Sequence, residues 1–132
     1  MIKKTITYTD YNGNSRTEDF YFNLNKAEVL ELELSTDGGL EAFVNKVVAE
    51  HDTRNLCSLF KSLVLKAYGV KSLDGKRFEK SQKLRDEFEQ TEAYAEIFTT
   101  LATDTDAAIE FFNGIIPKVP ENTIKELNSA SN

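Results

Sequence analysis

The chain is poor in the residues that carry most protein chemistry. It has one cysteine, Cys57, so no intramolecular disulfide can form and the core must hold by burial alone. It has one histidine, His51, which leaves too few ligands for a structural zinc site built from three or four His, Cys or carboxylate groups. Tryptophan is absent, and 9 phenylalanines with 5 tyrosines must supply the aromatic area of the core. No apolar run approaches the ~20 residues that a membrane-spanning helix needs. The opening residues, 1–11, are polar and alternating and lack the apolar centre of a secretory signal, so the expected location is the cytoplasm.

Positive charge is outnumbered, with 16 Lys and Arg against 22 Asp and Glu. The formal net charge is −6. The nearest approaches to a basic cluster are Lys3-Lys4 and Lys76-Arg77 with Lys80, the latter interrupted by Glu79. A nucleic-acid binder needs a basic patch to displace counterions from phosphates, and an anionic bilayer surface makes the same demand. Neither nucleic acid nor a membrane is therefore an expected partner.

What is present is the patterning of an α+β fold: an N-terminal β-hairpin followed by a mainly helical bundle of about five to six short helices. Ile2, Ile6 and Tyr8 alternate with Lys3, Thr5, Thr7 and Thr9, the period of a strand. Turn formers fill residues 10–15, and a second strand follows over about 16–22. A two-residue turn at Asn12-Gly13 sets Ile6 opposite Asp19 and mixes the two faces. A three-residue loop, Asn12-Gly13-Asn14, sets Ile6 opposite Phe20, Lys4 opposite Phe22 and Tyr8 opposite Glu18. The hydrophobic pattern favours the three-residue loop.

Asn25 with Glu28 reads as a capping box for a first helix over about 26–34. Residues 35–39 break it, and a second helix carries Leu40, Phe43, Val44, Val47 and Val48 on one stripe. The third helix has the clearest stripe: Leu56, Leu59, Phe60, Leu63, Val64 and Ala67. Gly69 is a natural residue to end it. Residues 70–78 form an irregular or hairpin segment turning at Asp74-Gly75. Ser81 caps a fourth helix with Leu84 and Phe88. Thr91 opens a fifth with Ala93, Tyr94, Ile97, Phe98, Leu101 and Ala102. Asp104 or Asp106 caps a sixth with Ala107, Ala108, Phe111 and Phe112. Asn113-Gly114, Pro117 and Pro120 close the folded part. The expected division is one globular domain over 1–117 and a polar, flexible segment over 118–132.

The candidate chemistry is thin. Cys57 lies six positions from His51, but it sits beside Leu56 in an apolar helix, where a free cysteine acts as an inert small hydrophobe. Asp104-Thr105-Asp106 begins like a calcium loop, yet the sixth and twelfth positions are Ile109 and Ile115, so helix capping is the better reading. Gly38-Gly39 precedes a helix without the Lys or Ser/Thr of a phosphate loop and reads as a linker. Glu28, Glu31 and Glu33 read as a solvated helix face. No catalytic, cofactor-binding or metal-binding residue is assigned, and no enzyme activity is expected.

The surplus is apolar. Phe20-Tyr21-Phe22 is aromatic on both faces of a strand, and Phe111-Phe112 with Ile115-Ile116 covers more than one face of a helix end. Either the helices wrap both faces, or some of these side chains meet a partner protein or a second copy of the chain. Tyr21, Phe112 and Ile116 are the candidate contacts.

Several segments resemble a known family. Residues 4–13 and 17–24, then Leu65-Lys66-Ala67-Tyr68-Gly69, Asp74-Gly75-Lys76-Arg77-Phe78 and Gln90-Thr91-Glu92-Ala93-Tyr94 look like tail assembly chaperones of long-tailed phages and prophages of Gram-positive bacteria. Leu101-Ala102-Thr103-Asp104 and Asn113-Gly114-Ile115-Ile116-Pro117 continue the likeness, which spans about residues 2–117. The resemblance implies a non-enzymatic protein that binds the tape-measure protein, keeps it soluble and helps recruit the tail-tube protein. It also implies action in the host cytoplasm and absence from the mature virion. Such chaperones are often made in a second, longer form by ribosomal frameshifting. A structural virion component, such as a head–tail connector or tail-terminator subunit, is the alternative.

Overall fold

Strands β1 (Ile2–Thr9) and β2 (Ser15–Phe22) pair antiparallel in a computed structural model that describes residues 1–36 and 38–117, apart from the side chains of Glu41, Val44 and Val48. The register corrects the sequence expectation by two residues. Ile6 faces Glu18 rather than Phe20, Lys4 faces Phe20, and Ile2 faces Phe22. The loop does have three residues, but they are Tyr11-Asn12-Gly13. The Asp10 N–H donates to the Asn14 carbonyl at 2.8 Å, and the Gly13 N–H donates to the Asp10 carbonyl at 3.0 Å. Gly13 takes the left-handed position at φ +84°.

Asp10 decides where the loop falls. Its carboxylate accepts from the Asn12 and Asn14 N–H groups, each at 2.9 Å, and pairs with Arg16 Nε at 2.6 Å. The Arg16 guanidinium first, and then the Asn14 N–H, hold this carboxyl below the usual aspartate range. Parity excludes a one-residue slip because that would turn the apolar face outward, but a two-residue slip preserves every face.

One face of the hairpin carries Ile2, Ile6, Tyr8, Phe20 and Phe22 toward the helices. The other carries Lys3, Thr5, Thr7, Thr9, Thr17, Asp19 and Tyr21. Two more strands extend the sheet in the order β1-β2-β3-β4, with β3 at Tyr68–Lys71 and β4 at Phe78–Glu79. Gly69 therefore does not end a helix in the left-handed conformation. It lies inside β3 opposite Tyr21. A Cβ there would approach the Phe78 ring to 2.6 Å and the Glu79 carbonyl to 2.9 Å, so close strand packing is what requires glycine.

The six helices among the described residues are α1 (Lys26–Ser35), α2 (Leu40–Ala49), α3 (Thr53–Ala67), α4 (Gln82–Glu89), α5 (Glu92–Thr103) and α6 (Thr105–Ile115). The expected caps hold. Asn25 and Glu28 form a complete capping box, while Ser81, Thr91 and Asp104 accept N–H groups of α4, α5 and α6. Asp52 caps α3, directly after His51 in the left-handed region at φ +52°. Gly38 and Gly39, both at positive φ, link α1 to α2. Val44 and Val48, assigned to the α2 stripe, and the polar segment 118–132 lie outside what is described.

Gly114 lies in the last turn of α6, which continues to Ile115. A Cβ at Gly114 would meet Ile2 Cδ1 at 2.8 Å, so the glycine lets β1 lie against the helix. The Leu24 N–H donates to the Ile115 carbonyl at 2.9 Å and fastens the end of α6. The core centres on Phe22, fully buried and edge-on to Phe111 at 5.3 Å. Phe88 stacks on Tyr68 at 4.1 Å and meets Phe22 at 5.8 Å. Leu24, Phe60, Leu63, Val64, Ile97, Leu101 and Ile115 close around these rings.

Candidate protein-binding surfaces

Helix α6 presents two apolar stripes. Ala108, Phe111 and Ile115 form the first and are buried. Ile109, Phe112 and Ile116 form the second, shifted by one residue and hence about 100° around the axis. Ile109 is 46% exposed, while Phe112 and Ile116 are half-buried and pack against the core. Two of the three sequence candidates thus belong to one stripe.

Tyr21 lies elsewhere. Strand alternation places it on the sheet face opposite Phe20 and Phe22, and so opposite the helices. It is half-buried, with Lys71 Nζ 4.1 Å above its ring centroid. The structure therefore does not bring Tyr21 together with Phe112 and Ile116.

A third surface was not anticipated from sequence. An open cleft of about 850 Å³ separates α1 and α2 from α3 and α4. Leu32, Leu40, Phe43, Leu59, Leu63 and Leu65 supply its apolar lining. Ser58 and Ser62, one turn apart on α3, keep part of its wall low. Among the described residues, the charged groups lining it are Lys66 and Arg85.

Among the described residues, two carboxylates of α1 are already engaged. Glu28, Glu31 and Glu33 do not form one solvated face: Glu28 and Glu31 lie about 60° apart, but Glu33 lies about 140° from Glu28. Glu33 accepts from the Leu40 N–H at 3.0 Å and so caps α2. Glu28 closes the α1 capping box and pairs with Lys80 Nζ at 2.8 Å; that ammonium also donates to the Asn23 carbonyl at 2.7 Å. Burial pushes Lys80 below the usual lysine range. Glu28 opposes that shift, while Arg85 and Lys66 repel the ammonium and add to it.

Leu32 is the apolar residue that α1 gives to the cleft, and the helix carries no apolar stripe that the sequence could show. Val29 and Leu32 pack toward the core, whereas Leu30 and Leu34 are 42% and 79% exposed, and no residue of α1 is fully buried. Cys57 is half-buried on α3. Among the described residues, no group of three or more His, Cys, Asp or Glu is placed to hold a metal. No helix among them is long and apolar enough to cross a membrane.

The described surface is thus one of apolar contact area on α1, on α6 and in the cleft, the kind of surface through which a domain meets other proteins. The sequence pattern of the phage tail assembly chaperones matches residues 1–131, and the chain belongs to that family. No curated protein and no solved structure matches it significantly. Family membership implies protein partners in tail assembly.

Proposed function

We propose that the chain binds the tape-measure protein during tail assembly, shields its apolar helical seams, and assists addition of the tail-tube protein. It acts without catalysis in the cytoplasm of the bacterial host and leaves before the virion is complete. Family membership supports a role in assembly. The observation that carries the binding reading is the second stripe of α6, where Ile109 is 46% exposed beside Phe112 and Ile116. An amphipathic helix of the partner would add its own apolar stripe to this one. Tyr21, on the opposite side of the sheet, is assigned to a separate contact, with the tail-tube protein or a second copy of the chain.

Co-expression of the tagged chain with the tape-measure protein tests this reading. The expected result is a soluble complex that is lost on changing Phe112 and Ile116 to serine while unfolding stays cooperative. Because both side chains also touch the core, Ile109→Ser is the companion variant and should weaken binding with little loss of stability. Recovery of the chain from purified virions by mass spectrometry would instead favour a structural virion component.

A further inference from the structure

We propose that the cleft between α1–α2 and α3–α4 seats an amphipathic helix whose apolar stripe is flanked by carboxylates. This goes beyond the reading above, which places its contact on α6, and rests on it for the presence of a helical partner.

The shape argues for a helix. The α3 wall runs from Asn55 to Lys66, about 17 Å at the rise of an α-helix, or roughly three turns. The walls are helices, whose backbone groups are bonded within each helix. An extended peptide would find no strand edge there and would leave its own N–H and C=O groups unmet. A helix brings those groups already satisfied. Leu59 and Leu63 line the cleft, and Leu63 belongs to the buried core, so an apolar stripe entering the cleft would continue that core outward.

The charge argues for an acidic flank. The chain carries net −6, yet the charged lining residues are Lys66 and Arg85, both positive. Among the described residues two acids of α1 are occupied, Glu28 by Lys80 and Glu33 by the first turn of α2. Among the described residues neither Lys66 nor Arg85 forms an ion pair. Their repulsion is felt by Lys80, which burial already disfavours as a cation. A carboxylate arriving on a partner would relieve that repulsion, whereas a basic helix would add to it.

Two labelled helical peptides about four turns long test this. They share leucines at i, i+3, i+4 and i+7, with glutamates flanking the stripe in one and lysines in the other. Fluorescence anisotropy with the full chain at low ionic strength should give about tenfold tighter binding of the glutamate peptide. The double variant Lys66→Glu/Arg85→Glu should reverse the preference, and Phe43→Ser should weaken both peptides. If the double variant does not melt cooperatively, Lys66→Gln alone should still narrow the gap. Equal affinity for the two peptides, or a preference that survives charge reversal, overturns the proposal. So does a wild-type dimer in sedimentation that the double variant abolishes, which would give the cleft to a second copy. Capture of the tape-measure protein separates this inference from the functional reading. Wild-type capture together with equal affinity for the two peptides overturns the cleft alone. Peptide discrimination without any wild-type capture supports the cleft and overturns the tape-measure assignment.

Discussion

Helices α1 and α6 are nearly the same length, 10 and 11 residues, and both are rich in apolar side chains. They use them differently. In α6 the residues recur at three- and four-residue steps, so Ala108, Phe111 and Ile115 form one stripe and vanish into the core. In α1 Val29, Leu30, Leu32 and Leu34 point around the axis, and none is fully buried. Spacing, rather than apolar content, decides which side chains of a helix its own domain seals and which are left as surface for another. The sealed stripe of α6 belongs to the scaffold while its second stripe stays open at Ile109, and unsealed α1 borders the cleft.

The strongest way to break this comparison is truncation on each side of it. Phe111→Ala should cost about 3–5 kcal/mol, because the ring is fully buried against Phe22. Leu34→Ala should stay within about 0.5 kcal/mol, since Leu34 is 79% exposed. Urea unfolding of the two variants measures the contrast, and similar losses would show that α1 is as integral to the core as α6.

A smaller effect is expected at the latch of α1. Glu28→Ala removes half of the capping box and the carboxylate that Lys80 donates to, at a cost of about 1–2 kcal/mol. Amide exchange should quicken in α1 before it quickens in α6. Uniform quickening along the chain would mean that the two helices open as one unit.

The smallest effect is a pH response confined to the hairpin loop. The Asp10 carboxyl is held below its ordinary range, so its stabilisation is fully present above the unfolded aspartate value and is lost as pH falls through the lower folded one. Titration followed by NMR should move the Asn12 and Asn14 amides in that acid window. Among the described residues the core holds no buried polar or charged side chain, so its resonances should stay in place until unfolding. Simultaneous movement of core and loop would show that the loop does not act locally.

Local chemistry explains which features were legible. Caps at Asn25, Ser81, Thr91 and Asp104 depend on a side chain and an N–H two or three residues away, so they can be read directly. The helical stripes of α3, α5 and α6 and the alternation of β1 are equally local. The hairpin register was legible only up to its parity, because a shift of two residues leaves every face unchanged and the choice fell to Asp10 and Gly13. Of the candidate contacts, the apolar surplus was visible at Tyr21, Phe112 and Ile116, but their separation by the sheet was not.

Element identities, the acidic charge and the shortage of reactive side chains were thus settled along the chain, where each residue acts on near neighbours. Tertiary packing settled what depends on distant neighbours. Gly69 and Gly114 look like breakers by local propensity, yet Gly69 is required because the Glu79 carbonyl and the Phe78 ring approach too closely for a Cβ, and Gly114 lets Ile2 lie close against α6. The addition of β3 to β2 and the cleft of Lys66 and Arg85 likewise join segments far apart in sequence. Closing such contacts takes chain entropy that only the assembled core can offset, and so they exist only in the folded molecule.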